Sequence, residues 1–387
     1  MKILYHHRTR SKDGQNVHIE ELIGALRGLG HEVVVVAPPA MEEKAFGADA
    51  GAVSTLKRLL PRALYEILEL AYSVVAYRRL AAACRRHRPD VLYERYNLFL
   101  LAGLWLKRKY RLPMLLEINA PLAFERGRFG GLGLPWLARW CEGRVWRGAD
   151  RVLPVTEALA DMVGDAGVPR ERITVIANGV DPARFADVGT DTAISNEYGL
   201  DDRLVLGFTG FVREWHRLDI VIDFIADSDP GLGLHLLLVG DGPARPALER
   251  RADARGIADR VTITGIVARD DVACHIAAFD IALQPAVQPY ASPLKLLEYM
   301  ALGRPIVAPA MPNIEELLSH ERTALLFDPK RDGAFRAALE RLCRDAALRR
   351  RLGAAARDAI DAQGLTWEHN ARRVTALFDA LRPAMPG

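Results

Sequence analysis

Short β-branched and leucine-rich runs alternate along the chain with longer stretches whose apolar residues recur at helical spacing. In the first half, the short runs predict strands over Lys2–Tyr5, Glu32–Val36, Val91–Tyr93, Met114–Ile118 and Arg151–Val155. Between the first two strands, the apolar positions of residues 17–29 indicate a helix. Strands that are apolar on both faces and are separated by helices are typical of a parallel sheet covered on each side.

The second half repeats this alternation. Strands are predicted over Leu204–Phe208, Leu234–Val239, Val261–Thr264, Ile281–Gln284, Ile306–Ala308 and Ala324–Phe327. A turn-forming cluster, residues 178–182, follows a further predicted strand, Ile173–Ile176, and the polar stretch 187–202 reads as a linker. We therefore expect an α/β protein with two doubly wound, Rossmann-like domains facing across a cleft. Residues 1–182 form the first and residues 183–366 the second, and a final helix within 367–387 returns to the first domain.

Composition excludes several classes of protein. The chain has 387 residues, of which 50% are hydrophobic and 26% charged, as in a folded globular protein. No uncharged apolar run approaches the roughly 20 residues that span a bilayer, and the first strand runs directly into His6, so no secretory signal is expected. The four cysteines are far apart, which argues against zinc and disulfides and favours the reducing cytoplasm.

Charge is unevenly distributed. Residues 1–180 carry 27 basic and 19 acidic side chains, for a net +8, whereas residues 181–387 carry 25 and 30, for a net −5. Within Ser54–Arg88, eight basic residues and interleaved leucines accompany only two glutamates. This segment, with Trp105–Lys109 and Trp136–Trp146, predicts either peripheral contact with an anionic membrane or packed helices with solvated arginines. Nucleic acid is not expected, because no base-reading module accompanies the charge.

The chain lacks the sequence motifs of several common classes of enzyme site. Neither domain contains the GxGxxG fingerprint of a dinucleotide site, because residues 6–14 contain one glycine and Arg245 replaces the third glycine after Gly240-Asp241-Gly242. The P-loop, the GxSxG elbow and HExxH are absent from the sequence. Asp227-Ser228-Asp229 has the DxD pattern of a metal–diphosphate site, but its position also suits a helix end and turn. No metal site is predicted.

The most informative segment runs from Pro289 to Ala308. It predicts a helix with Ser292 as N-cap and Pro293 at the first helical position, whose amide groups and dipole favour an anion. Lys295 lies in the first turn, where a cation is unfavourable unless it meets an anion. Glu298 lies one turn further. A phosphate at Lys295 with ribose hydroxyls at Glu298 would use these features; a capped surface helix is the alternative.

Four motifs in order resemble the family 4 retaining glycosyltransferases, the group 1 enzymes of bacterial polysaccharide and glycolipid synthesis, which have the GT-B fold. They are the helix above, Asn178–Asp181 with Phe185, the turn Val239–Pro243, and the pair Gly14–His18 with Gly30–Val33. The resemblance implies transfer of a sugar from a UDP- or GDP-sugar to an acceptor hydroxyl, without a metal or other cofactor. The acceptor would attack the same face of the sugar that the diphosphate leaves.

The resemblance also assigns candidate residues. Glu298 would bind the ribose, and donor contacts would come from Gly14, Gly210, Arg213, His216, Tyr290, Ser292, Pro293, Leu294 and Lys295. Tyr290 replaces the first glutamate of the family signature, and Phe211 and His216 replace the Arg and Lys that neutralise the diphosphate, so Arg213 and Lys295 are expected to supply charge. Catalytic candidates besides Glu298 are His18, Asn119 and Glu117. Asn119 stands where many relatives have histidine and shares a strand face with Glu117, although both could bond local backbone instead.

Other functions remain open. The acceptor can be a sugar, a lipid-linked intermediate or a small molecule, so a secondary-metabolite glycosyltransferase is an alternative. A sugar-nucleotide epimerase would use a similar pair of domains without an acceptor. A catalytically silent sugar-nucleotide-binding protein is suggested by Tyr290 and Phe211. The expected location is the cytoplasm, with peripheral contact to the inner face of the membrane.

Overall fold

The chain divides into two compact units in the computed structural model, which describes residues 1–9, 14–38, 60–186, 188 and 192–381. Unit 1 comprises Met1–Ala177, Tyr290–Ser292 and the chain from Trp367 onward, and unit 2 comprises Asn178–Pro289 and Pro293–Thr366. The division falls between Ala177 and Asn178, five residues before the boundary between residues 182 and 183 predicted from the sequence.

Unit 1 is built on a parallel five-stranded sheet of order β2-β1-β3-β4-β5. The three inner strands, Lys2–His6, Val91–Arg95 and Met114–Ile118, are buried on both faces, and apolar residues predominate in them. Its elements up to the boundary are β1 (Lys2–His6), α1 (Gly14–Gly28), β2 (Glu32–Val36), α2 (Arg62–His87), β3 (Val91–Arg95), α3 (Ala102–Tyr110), β4 (Met114–Ile118), α4 (Leu122–Glu125), a π-turn (Arg126–Gly130), α5 (Pro135–Gly148), β5 (Arg151–Pro154) and α6 (Glu157–Asp165).

Unit 2 contains a parallel six-stranded sheet of order β11-β10-β9-β6-β7-β8. Its core packs helices on strands whose side chains are buried, as in Leu234–Val239. The elements are α7 (Ala183–Ala186), α8 (Thr192–Tyr198), β6 (Leu204–Thr209), α9 (Asp219–Asp227), β7 (Leu234–Val239), α10 (Arg245–Ala254), β8 (Val261–Ile263), α11 (Val272–Ala277), β9 (Ile281–Leu283), α12 (Leu294–Ala301), β10 (Ile306–Pro309), α13 (Pro312–Glu315), β11 (Leu325–Phe327), α14 (Ala334–Arg344) and α15 (Ala346–Gln363).

The last helix, α16 (Trp367–Leu381), belongs to unit 1. Its Trp367 ring lies edge-on to the His18 ring of α1 at 4.8 Å, and Phe378 contacts Tyr93 of β3 at 6.5 Å between centroids. The Asn370 amide donates to the Ala177 carbonyl at 2.8 Å. The helix is thus part of the unit 1 core.

Two predictions made from the sequence differ from the structure, whereas the DxD sequence has the local structure that its position suggested. Ile173–Ile176 is not a strand but pairs with β5 through a single bridge, from Ile173 to Val152. The predicted linker 187–202 contains α8, while residues 187 and 189–191 lie outside the described ones. In the DxD sequence, Asp227 pairs with Arg255 and Arg336, and Asp229 accepts from the Gly231 amide at 2.9 Å. That motif is a helix end and a turn.

No helix among the described residues combines the length and apolar character required to cross a bilayer.

Candidate functional site

Two glycine-containing loops pack against each other at the carboxyl edge of the unit 2 sheet. Gly210 follows β6 and Gly240 follows β7, both with positive φ (128° and 137°). A Cβ at Gly240 would overlap the Gly210 carbonyl. The Val212 amide donates to the Asp241 carbonyl at 2.9 Å and holds the two loops together. The glycines therefore allow an approach that larger residues would block.

The helix predicted to bind an anion begins at the same edge, one residue later than expected. The prediction of Ser292 as N-cap is wrong: Pro293, with extended backbone (ψ 115°), is the N-cap and Leu294 is the first helical residue. The Tyr299 hydroxyl accepts from the Thr209 amide at 2.9 Å and fastens α12 to the end of β6. Tyr299 was not among the predicted site residues, because the sequence pattern does not show which strand a helix residue will contact.

Lys295 is a cation placed where burial disfavours its charge. Its Nζ lies 3.7 Å from the centroid of the Phe208 ring, and a Cβ built on Gly210 would lie 3.1 Å from it. Burial lowers the pKa of Lys295 to about 7, although the Glu298 carboxylate opposes the shift. Nζ forms no hydrogen bond or ion pair with the described residues. The site is therefore suited to an anion, which would restore the charged form.

In the segment Gly210–His216, where Phe211 and His216 replace the Arg and Lys of the family, His216 and Arg213 differ in burial and in charge. His216 is buried, and its Nδ1 accepts from the Arg213 amide at 3.2 Å. Its ring lies edge-on to Phe208 and tilted against Trp215, with centroids 4.9 and 3.8 Å apart. Burial, with Lys295 and Arg213 nearby, lowers the pKa of His216 to about 2, so this side chain is neutral. Arg213 is exposed, with its guanidinium 4.9 Å from the Phe211 ring centroid. Positive charge at this edge therefore comes from Arg213 and Lys295.

Tyr290, predicted to contact the donor, is buried in unit 1. Its hydroxyl donates to Glu125 Oε1 at 2.7 Å, and its carbonyl accepts from Thr156 Oγ1 at 3.0 Å. Its ring lies edge-on to Phe124. Ser292, two residues after Tyr290, also belongs to unit 1. The predicted donor residues Pro293, Leu294, Lys295 and Glu298 belong to unit 2.

The catalytic candidates of the first half come together around Glu117, which lies in β4 and is buried. Its carboxylate accepts from Tyr93 at 2.8 Å and from Arg95 and Asn119, and His18 Nε2 lies 2.9 Å from Oε2. Although burial opposes ionisation, His18 and Arg95 hold the pKa of Glu117 well below its usual range. Both carboxylate oxygens of Glu117 are therefore engaged by side chains of unit 1.

This cluster continues along the carboxyl edge of the unit 1 sheet. His6 Nδ1 lies 2.6 Å from the buried Glu94, and a Cβ at Gly103 would overlap that carboxylate. A cavity of about 10 Å³, the room of one water molecule, is lined in part by His18, Glu117 and Trp367. Glu94 and Arg95 were missed; a charged pair closing an apolar run was the available signal. Gly14, the remaining candidate, begins α1, next to residues 10–13, which are not described.

Two family profiles match most of the chain. A glycosyl transferase 4-like domain matches residues 13–179, and a glycosyl transferases group 1 domain matches residues 203–345. A D-inositol 3-phosphate glycosyltransferase of Rhodococcus opacus is 32% identical over 302 residues, covering 74% of this chain and 67% of that protein. The chain belongs to the family 4, group 1 glycosyltransferases. The family predicted from the sequence and the enzyme class are confirmed.

Other similar proteins extend the comparison. An alpha-D-kanosaminyltransferase of Streptomyces kanamyceticus is 31% identical over 221 residues, which cover 56% of this chain and 57% of that relative, so the match spans little more than half its length. The crystal structure of HepE from Anabaena, in complex with UDP and glucose, superimposes with a TM-score of 0.73 at 19% identity, covering 98% and 100% of the two chains. This likeness confirms the predicted GT-B fold.

Proposed function

We propose that this glycosyltransferase uses a nucleoside diphosphate sugar, with UDP or GDP as the nucleotide, and that unit 2 binds it. The observation that carries the proposal is Lys295, a largely desolvated ammonium without an anionic partner in contact, at the first turn of α12 and beside Gly210. A diphosphate would supply that partner. HepE, which shares the fold, was crystallised with UDP, and this supports a nucleoside diphosphate as part of the donor.

The donor contacts follow from this edge of the sheet. The Leu294 and Lys295 amides open α12, where helix geometry provides no partner, and they favour phosphate oxygens, whereas the Leu296 amide donates to the Pro293 carbonyl at 3.2 Å. Lys295 and Arg213 add charge, and each charge-assisted hydrogen bond contributes about 1.5–3 kcal/mol. Glu298, one turn along α12, is assigned to the ribose hydroxyls. His216 contributes shape rather than charge, because it is buried and neutral.

The proposed reaction retains the configuration of the transferred sugar. The acceptor hydroxyl approaches the face that the diphosphate leaves, the bond from the sugar to the phosphate oxygen breaks, and that phosphate takes the acceptor proton. The amides of α12 with Lys295 and Arg213 stabilise the charge that develops on the leaving group. We propose that these groups suffice without a divalent ion.

We assign acceptor recognition to unit 1. Asn119 is partly exposed and is held by Glu117, so it is the member of that cluster best placed to meet a sugar hydroxyl. A polysaccharide or glycolipid intermediate is the proposed acceptor. A small polar acceptor is the second candidate, because the name of the D-inositol 3-phosphate glycosyltransferase indicates such a substrate. The four free thiols suit the reducing cytoplasm, where we place the enzyme.

Labelled UDP- and GDP-sugars test the proposal. Incubation with acceptor mixtures separates three outcomes: sugar transfer supports the proposal, while isomerisation of the donor or binding without turnover favours the epimerase or the silent binder. Glu298→Ala is expected to abolish transfer with the fold intact, as judged by circular dichroism. Glu315→Ala, an exposed glutamate of unit 2, is the matched control and should retain full activity. Near-normal turnover by Glu298→Ala would refute the site assignment.

A further inference from the structure

Two helices of unit 1 present large apolar side chains to solvent. On α2, Leu64, Ile67 and Leu68 are 44%, 49% and 44% exposed, and their spacing places them on one side of the helix. On α5, Trp136 and Trp140 are 63% and 50% exposed and lie one turn apart. Contiguous exposed apolar surface of this kind marks an interaction site.

The two helices are joined at these apolar ends. The buried Glu66 of α2 accepts from the amides of Gly133 and Leu134, at 2.8 and 2.7 Å, immediately before α5 begins. Arg126 donates to Glu69 of α2 at 2.7 Å, and Phe129, 58% exposed, follows in the same π-turn. We call the resulting surface the amphipathic face; its apolar members are Leu64, Ile67, Leu68, Phe129, Trp136 and Trp140.

The part of the chain that carries the amphipathic face has an excess of positive charge. Residues 62–147 contain sixteen basic and seven acidic side chains. All seven carboxylates are engaged within unit 1: Glu66, Glu69, Asp90, Glu94, Glu117, Glu125 and Glu142 each accept hydrogen bonds or pair with a cation. In contrast, Arg139 and Arg144 are exposed on the same side of α5 as the two tryptophans.

We propose that the amphipathic face docks on the surface of an anionic lipid bilayer. Exposed tryptophan rings bordered by arginine suit the headgroup region, where an apolar body and a polar rim are both accommodated. The segment 62–147 has nine more basic than acidic side chains, and Arg139 and Arg144 are exposed beside the tryptophans, where they can face anionic headgroups. A second copy of the chain would place the same positive charges against each other, which disfavours self-association through this face. The inference does not depend on the donor, and it favours a lipid-carried acceptor over a small soluble one.

The test is flotation of the full chain with vesicles of phosphatidylcholine alone or mixed with phosphatidylglycerol. We expect binding to the anionic vesicles only, weakened by added salt. Trp136→Ser with Trp140→Ser, and separately Arg139→Glu with Arg144→Glu, are each expected to lower the partition coefficient at least about tenfold. Brominated lipid should quench the fluorescence of the parent protein and spare much of it in the tryptophan variant.

The matched control is Arg344→Glu with Arg350→Glu, which makes the same change in net charge on exposed positions of unit 2 and should bind vesicles normally. UDP affinity should be unchanged in every variant, so a failure of docking is distinguishable from a failure of the donor proposal. Absence of vesicle binding, or equal loss in the control, would overturn the inference. So would a dimer in light scattering that the tryptophan variant dissociates, since the face would then serve a second copy.

Discussion

Replacing Lys295 with methionine is expected to stabilise the free protein while removing its affinity for the nucleotide. Methionine fills a similar volume and can pack its sulfur against Phe208, on which the ammonium now lies. The change removes a charge that burial opposes. Since that charge is proposed to bind the diphosphate, stability and function should move in opposite directions.

The magnitude follows from the pKa of Lys295, which burial lowers from 10.5 to about 7. At pH 7 the side chain is protonated in the unfolded chain but only about half protonated in the folded one. Each tenfold factor in that equilibrium corresponds to about 1.4 kcal/mol, so folding with Lys295 costs up to about 4 kcal/mol at this pH. For a domain of the size of unit 2, the variant should melt on the order of 10 °C higher.

The sign of the pH dependence is fixed by the same shift. Between pH 7 and 10.5 the unfolded chain binds more protons than the folded one, so the parent gains stability as pH rises. The advantage of Lys295→Met should therefore shrink to about 1.4 kcal/mol by pH 9.5. Calorimetry at both pH values measures this.

Lys330→Met, at an exposed position of the same unit, is the control and should change stability by less than about 0.5 kcal/mol. A Lys295→Met protein that is less stable than the parent at pH 7, or that binds UDP as well as the parent, would refute the reasoning.

Two further predictions concern charge. UDP affinity should fall about tenfold for each pH unit above 7, because binding requires protonated Lys295, whose pKa is about 7 in the free protein. Titration calorimetry measures this affinity. An affinity that stays constant from pH 7 to 9 would contradict the assignment. Glu117→Leu should destabilise unit 1 by about 3–5 kcal/mol, since Arg95 and His18 would remain buried without their carboxylate. Urea unfolding checks this, and a change below about 1 kcal/mol would count against a structural role for the cluster.

The sequence predicted most strands, since a parallel sheet buried on both faces leaves an unmistakable apolar run. Glu32–Val36, Met114–Ile118 and Leu234–Val239 have the predicted bounds. Ile173–Ile176 has the same apolar character but occurs beyond β5, where only one bridge forms. Local pattern cannot show whether an extended segment finds a continuous partner.

The sites were predictable in their residue types but not in their partners. Lys295 stood out because a cation at the start of a helix is unfavourable unless it binds an anion. The structure adds a second cost, because burial also disfavours its charge. Its lowered pKa depends on Phe208 and the adjacent loop, almost ninety residues earlier in the chain, and that contact is tertiary. For the same reason the sequence could not show that Tyr290 would be taken up by unit 1, or that Arg95 would meet Glu117.

The path of the chain limits how the two halves can be exchanged between relatives. Three residues, Tyr290–Ser292, and the closing helix are integral to the first unit, although each follows a stretch of the second. A chimera with a single junction at the boundary after Ala177 would separate Phe378 from its contact with Tyr93, and Tyr290 from its hydrogen bond with Glu125. Engineers who wish to transplant nucleotide preference should graft residues 178–289 and 293–366 as two inserts, and leave both returning pieces in the recipient.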